Sequence, residues 1–126
     1  MDWHDAALVT AGAIGSGVAV VHGVLVQRLM VKPLEAMFEE RRTPGSVRRL
    51  VPLLLHLSTV SWFLGGLVLI AAALWFGPAA TLTTALFVGS LFLFGALANF
   101  WGTRGRHPGW MLMAAAVGLI GVGVGA

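Results

Sequence analysis

The chain has 126 residues, of which 58% are hydrophobic and only 10% charged, with a formal net charge of +3. Water-soluble domains carry about 25% charged residues, so this composition excludes an ordinary soluble domain and indicates a single membrane-embedded unit. The absence of cysteine also excludes disulfides, thiolate metal sites and iron–sulfur clusters.

The pI of about 11.2 does not imply nucleic-acid binding, because the basic residues lie only in segments that flank apolar runs. That placement belongs to membrane topology. The first residues, MDWHD, carry two acids and no Lys or Arg, whereas a secretory signal opens with a positive segment. The first apolar run is therefore expected to be retained.

Four apolar runs follow, at 6–27, 51–76, 79–101 and 109–126. A span needs about 17–25 residues, so each is long enough, the last only just. The connector 28–50 holds Arg28, Lys32, Arg41, Arg42, Arg48 and Arg49, and 102–108 holds Arg104 and Arg106, whereas Gly77-Pro78 holds no charge. All basic residues then fall on one side, which the positive-inside rule makes cytoplasmic. Both termini are expected on the periplasmic side of a bacterial-type inner membrane. Trp3 and Trp75 would mark the outer boundary and Trp101 and Trp110 the inner, while Trp62 lies mid-span and must pack. The predicted fold is a single-domain, all-α, antiparallel four-helix transmembrane bundle.

Within the first connector, Pro33 can open a short helix over 33–42 that Thr43-Pro44-Gly45 ends. Leu34, Met37 and Phe38 lie to one side of it. The pattern predicts an amphipathic helix on the cytoplasmic surface, its basic flanks favouring anionic lipid heads; the plainer alternative is a solvated charged loop.

Helical spacing sorts the faces. Ala11, Gly15, Ala19 and Gly23 recur every fourth residue, a ladder that lets a second helix approach closely. His22 projects along the same stripe. Asn99 shares a face with Ala85, Phe92, Gly95 and Ala96. In the last run His107 and Trp110 align with Ala114, Gly118, Gly121 and Gly125. In the second run, Ser58, Ser61, Gly65 and Ala72 form the small stripe, while His56 lies nearly opposite. That helix must therefore pack on two sides or be covered by another chain.

The polar residues cluster in depth. His22 and Asn99 each lie about 8–9 Å of helix rise from the nearest arginine, and His56 about 10 Å. All belong to the cytoplasmic half with His107, above a floor of Arg28, Arg48, Arg49, Arg104 and Arg106. The outer half of the spans has no ionisable residue, which argues against a conduit across the bilayer.

Each intramembrane polar group has two readings. A neutral imidazole or amide can be interhelical glue; alternatively His22, His56, Asn99 and His107 could serve a ligand. Two histidines could ligate haem b axially, as His22 with His56 or His22 with His107, with Arg28 or Arg104 on the propionates. A quinone or a lipid headgroup could instead bind there, with Arg side chains on phosphate. Carboxylate catalysis lacks an Asp or Glu within a span, no phosphate-binding glycine loop is present, and the histidines are split between the two membrane sides, so no metal site is expected.

The stretch HLSTVSWFLGGL, from His56 to Leu67, resembles the His…Trp…Gly-Gly helix of copper-resistance D membrane proteins. It is also similar to a helix of the four-span membrane protoporphyrinogen oxidases, which bind haem. Trp62 stands one position out of step with that pattern. The resemblance implies His56 as a haem ligand and nothing more. Small multidrug transporters carry an acidic residue in the first span, which this chain lacks. Fluoride channels have a weak charge bias suited to dual insertion, unlike the strong bias here.

From these features the chain is expected to be a non-enzymatic accessory or scaffold subunit, or a homo-oligomer, within a larger membrane assembly. The competing expectation is a haem- or quinone-binding membrane protein using His22, His56 and Asn99.

Overall fold

The computed structural model describes residues 1–125, which are mostly helical with no strand among them. Helix α1 spans Trp3–Val26. Asp2 starts it: its carboxylate accepts the Asp5 N–H at 2.9 Å, and the Asp5 carboxylate accepts the Asp2 N–H at 3.2 Å. This reciprocal pair satisfies two of the free donors at the helix start.

The hydrogen-bond ladder then widens into a π-helical turn, Gln27–Val31, and closes again as α2, Lys32–Glu40. The result is one unbroken 38-residue helical run, Trp3–Glu40. The short helix expected over 33–42 forms, but no loop separates it from the first span. Pro33 lacks an N–H, and its ring crowds the carbonyl one turn earlier; a widened turn at that point accommodates both. The chain reverses at Arg42, whose φ is 51°, with Thr43 N–H donating to the Phe38 carbonyl at 3.0 Å.

Helix α3 spans Gly45–Trp75, beginning well before residue 51, and α4 spans Pro78–Thr103. The Thr81 hydroxyl, at the start of α4, donates to the Ala72 carbonyl at 3.0 Å and pins the α3–α4 corner. Helix α5 spans Gly109–Gly123 and has 15 residues, about 22 Å of rise. Three helical runs are thus long and apolar enough to cross a membrane, and α5 is shorter than the span expected over 109–126. Ala126 lies outside the described residues.

α1 packs on α3 and α5, and α4 packs on α3 and α5. All four contacts are antiparallel. Along α1 and α3, Gly12 meets Gly66 and Gly23 meets Thr59; along α1 and α5, Leu8 meets Gly123; α4 meets α3 at Val88–Gly65 and α5 at Gly95–Met113. Phe92 sits in the middle with no exposed surface, its ring against Gly15. Trp62, buried against Gly95, fills the adjacent level, the packing role expected for a mid-span indole.

Two packing expectations change. Ala11, Gly15 and Ala19 are buried as the ladder predicts, but the closest approach of α1 and α3 is made by Gly12 and Gly66. A Cβ on Gly12 would lie 2.5 Å from the Gly66 carbonyl oxygen. On α5, Gly118 and Gly121 face open space, as does Gly125 just beyond it, and the packed face is Met113, Ala116 and Ile120. The physical reason is that α5 is apolar on every side, so its sequence carries no polar face from which to orient it.

Candidate functional site

The site is built where α1, α4 and the α4–α5 turn converge. Asn99 closes an α4 hydrogen bond of its own, donating from Nδ2 to the Gly95 carbonyl at 2.9 Å. That bond assigns the amide and leaves Oδ1 free to accept. One turn on, the Thr103 hydroxyl donates to the Asn99 carbonyl at 2.6 Å and accepts the His107 backbone N–H at 3.4 Å. Thr103 therefore ties Asn99 to His107 through the chain itself.

The turn between α4 and α5 is held firmly. Arg104 and Gly105 are both left-handed, with φ of 51° and 72°, and the Gly105 N–H donates to the Phe100 carbonyl at 2.8 Å. This six-to-one closure ends α4 by satisfying one of its free carbonyls. The Trp110 indole N–H donates to the Gly105 carbonyl at 3.2 Å and meets the Phe100 ring edge-on at 5.0 Å. His107 accepts the Gly109 N–H at Nδ1, 3.1 Å away. In the neutral ring the proton then lies on Nε2, which is left as a donor.

From α1, His22 shares a hydrogen bond between Nε2 and the Ser58 hydroxyl of α3 at 3.1 Å. Its ring stacks at a tilt on Trp62, with centroids 4.6 Å apart. His22, Asn99 and His107 all line one cavity of about 330 Å³, whose other walls are apolar residues of α1 and α5 such as Ile14, Val18 and Leu112. Ala13, Gly17 and Val21, also in its wall, are exposed, so the cavity opens sideways along the α1–α5 seam.

His56 is elsewhere. Its Nε2 donates to Gln27 Oε1 at 2.9 Å, and it lines a separate groove with Arg28 and Lys32. His22 and His56 thus sit on opposite flanks of the α1–α3 crossing, each with its own partner. The conceivable pairing of His22 with His56 on one haem thus meets two side chains with separate partners in separate cavities, and His56, read as lying nearly opposite Ser58 on α3, also finds its partner on the first helical run. Both α3 side chains thus reach the first helical run, Ser58 at His22 and His56 at Gln27.

The arginines do not form one floor. Arg48 pairs with Glu39 at 3.2 Å, Arg49 donates to the Gly45 carbonyl at 3.2 Å, Arg28 borders the His56 groove, and Arg104 lies with Trp101 in another. Arg106 is exposed in the turn before His107. Among the described residues, no group of three or more His, Asp or Glu is placed to hold a metal ion.

Sequence reasoning missed Gln27, Thr103 and Ser16, the last donating from Oγ to the Phe63 carbonyl of α3 at 3.0 Å. Gln27, ending the first apolar run, was the only one of these with a visible signal. No family model, curated protein or solved structure matches this chain, so the short likeness at His56 to Leu67 assigns no family.

Proposed function

We propose that the chain is a four-span integral membrane protein that binds the head of a lipid-soluble quinone in the α1–α5 cavity. The observation that carries this reading is the convergence of His22, Asn99 and His107 on one apolar, laterally open cavity. Its volume lies at the small end of the ligand-pocket range, about 300–1,000 Å³, enough for a single ring. The His107 Nε2–H offers a donor to a quinone carbonyl, and Asn99 Oδ1 offers an acceptor to a reduced hydroxyl. The open side toward Gly17 lets an isoprenoid tail remain in lipid. A haem would need two imidazoles across one slot. His107 has its Nδ1 bound within its own turn, and His56 lines another groove, so the quinone reading is favoured over haem.

Membrane placement is supported by the outer faces of the helices. Leu86, Phe87, Leu93, Phe94 and Leu97 of α4 are all exposed, a contiguous apolar surface that water would penalise. The hydrocarbon core is about 30 Å thick, so α1–α2 and α3 run past it. They would carry Arg28, Lys32, Glu39 and Arg48 into the cytoplasmic headgroups as a helical hairpin, with the termini on the periplasmic side. α5, at about 22 Å of rise, would draw the bilayer inward or be extended by its flanks.

The test is titration of the protein in nanodiscs with a short-chain benzoquinone, read by quenching of Trp62, which stacks on His22. The expected result is saturable quenching, reduced in amplitude in Trp62→Phe and weakened at least tenfold in affinity in His107→Leu. Gly17→Leu, whose Cβ would have open space beside it and whose branch would occupy the open side, should weaken it similarly. Unsaturable quenching, unchanged in these variants, would overturn the reading.

A second reading, an accessory subunit or homo-oligomer, is favoured by the open space at Gly118 and Gly121 on α5, where another helix could approach. Crosslinking in native membranes that gives a defined larger species through α5 would support it; a clean monomer would count against it.

A further inference from the structure

The flank of α1–α3 that carries His56 holds a second concave surface, which the quinone reading does not use. It consists of two adjoining hollows that share Val20 and Thr59. The upper, about 540 Å³, is bordered by Gln27, Arg28, Lys32 and His56. The lower, about 270 Å³, is wholly apolar, between Val20 and the α3 residues Val60, Phe63 and Leu64. The surface therefore grades from cationic at one end to hydrocarbon-like at the other.

We propose that this groove binds one anionic glycerophospholipid, with its phosphate on Arg28 and Lys32 and an acyl chain along Val20 and Phe63. The proposal rests on the membrane reading above but not on quinone binding. Three observations support it independently.

First, the two cations are uncompensated. The one salt bridge among the described residues joins Arg48 to Glu39, while Arg28 and Lys32 are exposed at the groove mouth with no acid in contact. A basic pocket at a helix boundary is complementary to an anionic headgroup.

Second, the polar end is organised. The His56–Gln27 bond at 2.9 Å uses Gln27 Oε1 and leaves the Gln27 amide N–H groups to donate to phosphate or ester oxygens. Thr59 lines both hollows and marks the junction between the polar and the apolar end.

Third, Arg28 lies inside the π turn Gln27–Val31. π turns inside α-helices are frequently found at functional sites, and this one carries one of the groove's two cations, Arg28, and its Gln27 donor.

The experiment is native mass spectrometry of the full chain released from membranes in mild detergent, with phosphatidylglycerol or phosphatidylcholine added at matched concentrations. The expected result is one retained phosphatidylglycerol, held about tenfold better than phosphatidylcholine. The preference should disappear in the double variant Arg28→Gln, Lys32→Gln and persist in Arg104→Gln, a cation on the same expected side but outside the groove. Val20→Trp, which fills the junction, should lower retention of phosphatidylglycerol while leaving charge intact.

Equal retention of the two lipids, or equal loss in Arg104→Gln, would overturn the site. Full displacement by millimolar inorganic phosphate would also overturn it, since the apolar half of the groove would then contribute nothing. A chain that fails to sediment with carbonate-washed membranes would overturn both this proposal and the membrane reading. A membrane-inserted chain with no lipid preference overturns the groove alone.

Discussion

Where α1 crosses α3, backbone meets backbone; where it faces α5, a cavity separates the helices near the α4–α5 turn. The residues involved are of the same kinds. Gly12 and Gly66 let the first pair close until a Cβ would strike a carbonyl oxygen, while Gly17, on the same helix, has open space beside it. The histidines divide in parallel. His56 is held across the α1–α3 crossing by Gln27, whereas His107 faces the cavity with only its Nδ1 bound. His22 belongs to both, tied to Ser58 on one side and lining the cavity on the other. A small residue in a helix therefore either admits a neighbour or leaves room for a ligand, and the partner helix decides which.

Substitution at the two kinds of glycine breaks or sharpens this contrast most directly. Gly66→Val should destabilise the protein by about 3 kcal/mol, the upper end for overpacking, because the new atoms meet backbone that cannot rotate aside. Gly17→Val should change stability by no more than about 0.5 kcal/mol, as for an unconstrained surface position. Reversible unfolding in mixed micelles measures both. Equal losses would mean that the seam on the α5 side is packed as tightly as the crossing.

Part of this arrangement could be read from the chain. The four apolar runs, the buried Ala11–Gly15–Ala19 ladder, the packed Trp62 and the shared face of Asn99 with Phe92 all follow from length and helical spacing. Other features had no such signal. α5 is hydrophobic all round, so nothing in its composition distinguishes Met113 and Ile120, which pack, from Gly118 and Gly121, which do not. The separation of His22 from His56 lies in their different partners, Ser58 and Gln27, which helical spacing alone does not name. His107, a candidate beside His22 from the sequence, is held in place by the Thr103 hydroxyl and a left-handed turn at Arg104, neither of which spacing along a helix can reveal. The π turn at Gln27 follows from Pro33 in hindsight, but an isolated proline after an apolar run reads equally well as a break.

Hydrogen bonding gives a smaller contrast. Ser16 bonds across to the α3 carbonyl of Phe63, while Ser90 bonds its own helix at the Leu86 carbonyl, at 2.8 Å. Ser16→Ala should cost about 0.6 kcal/mol, the average for an interhelical bond within a membrane protein. Ser90→Ala should cost next to nothing, because its partner carbonyl is already used by the helix. The same unfolding assay separates them. A loss at Ser90 equal to that at Ser16 would remove the special standing of the α1–α3 crossing.

The smallest expected effect lies at the N-terminal end of α1, on its α5 side, where His4 donates from Nδ1 to the Val122 carbonyl at 3.1 Å. The backbone N–H of Asp5 holds the Asp2 carboxyl below the usual carboxylate range. A carboxyl so lowered stabilises the folded helix end at pH above its unfolded value, about 3.9, and the contribution is lost as pH falls through the lower folded value. Amide exchange at Asp5 and Ala6, corrected for its intrinsic pH dependence, should therefore be flat from pH 7 to about 4 and rise below that. In Asp2→Asn, which keeps a neutral acceptor at the cap, that acid-side rise should be smaller. The change should also stay within the first turn, since the α1–α3 crossing at Gly12 does not depend on the cap. Exchange that rises together at Asp5 and at Gly12 would show that the two sides of α1 open as one unit, and the contrast between them would then be one of packing only, not of stability.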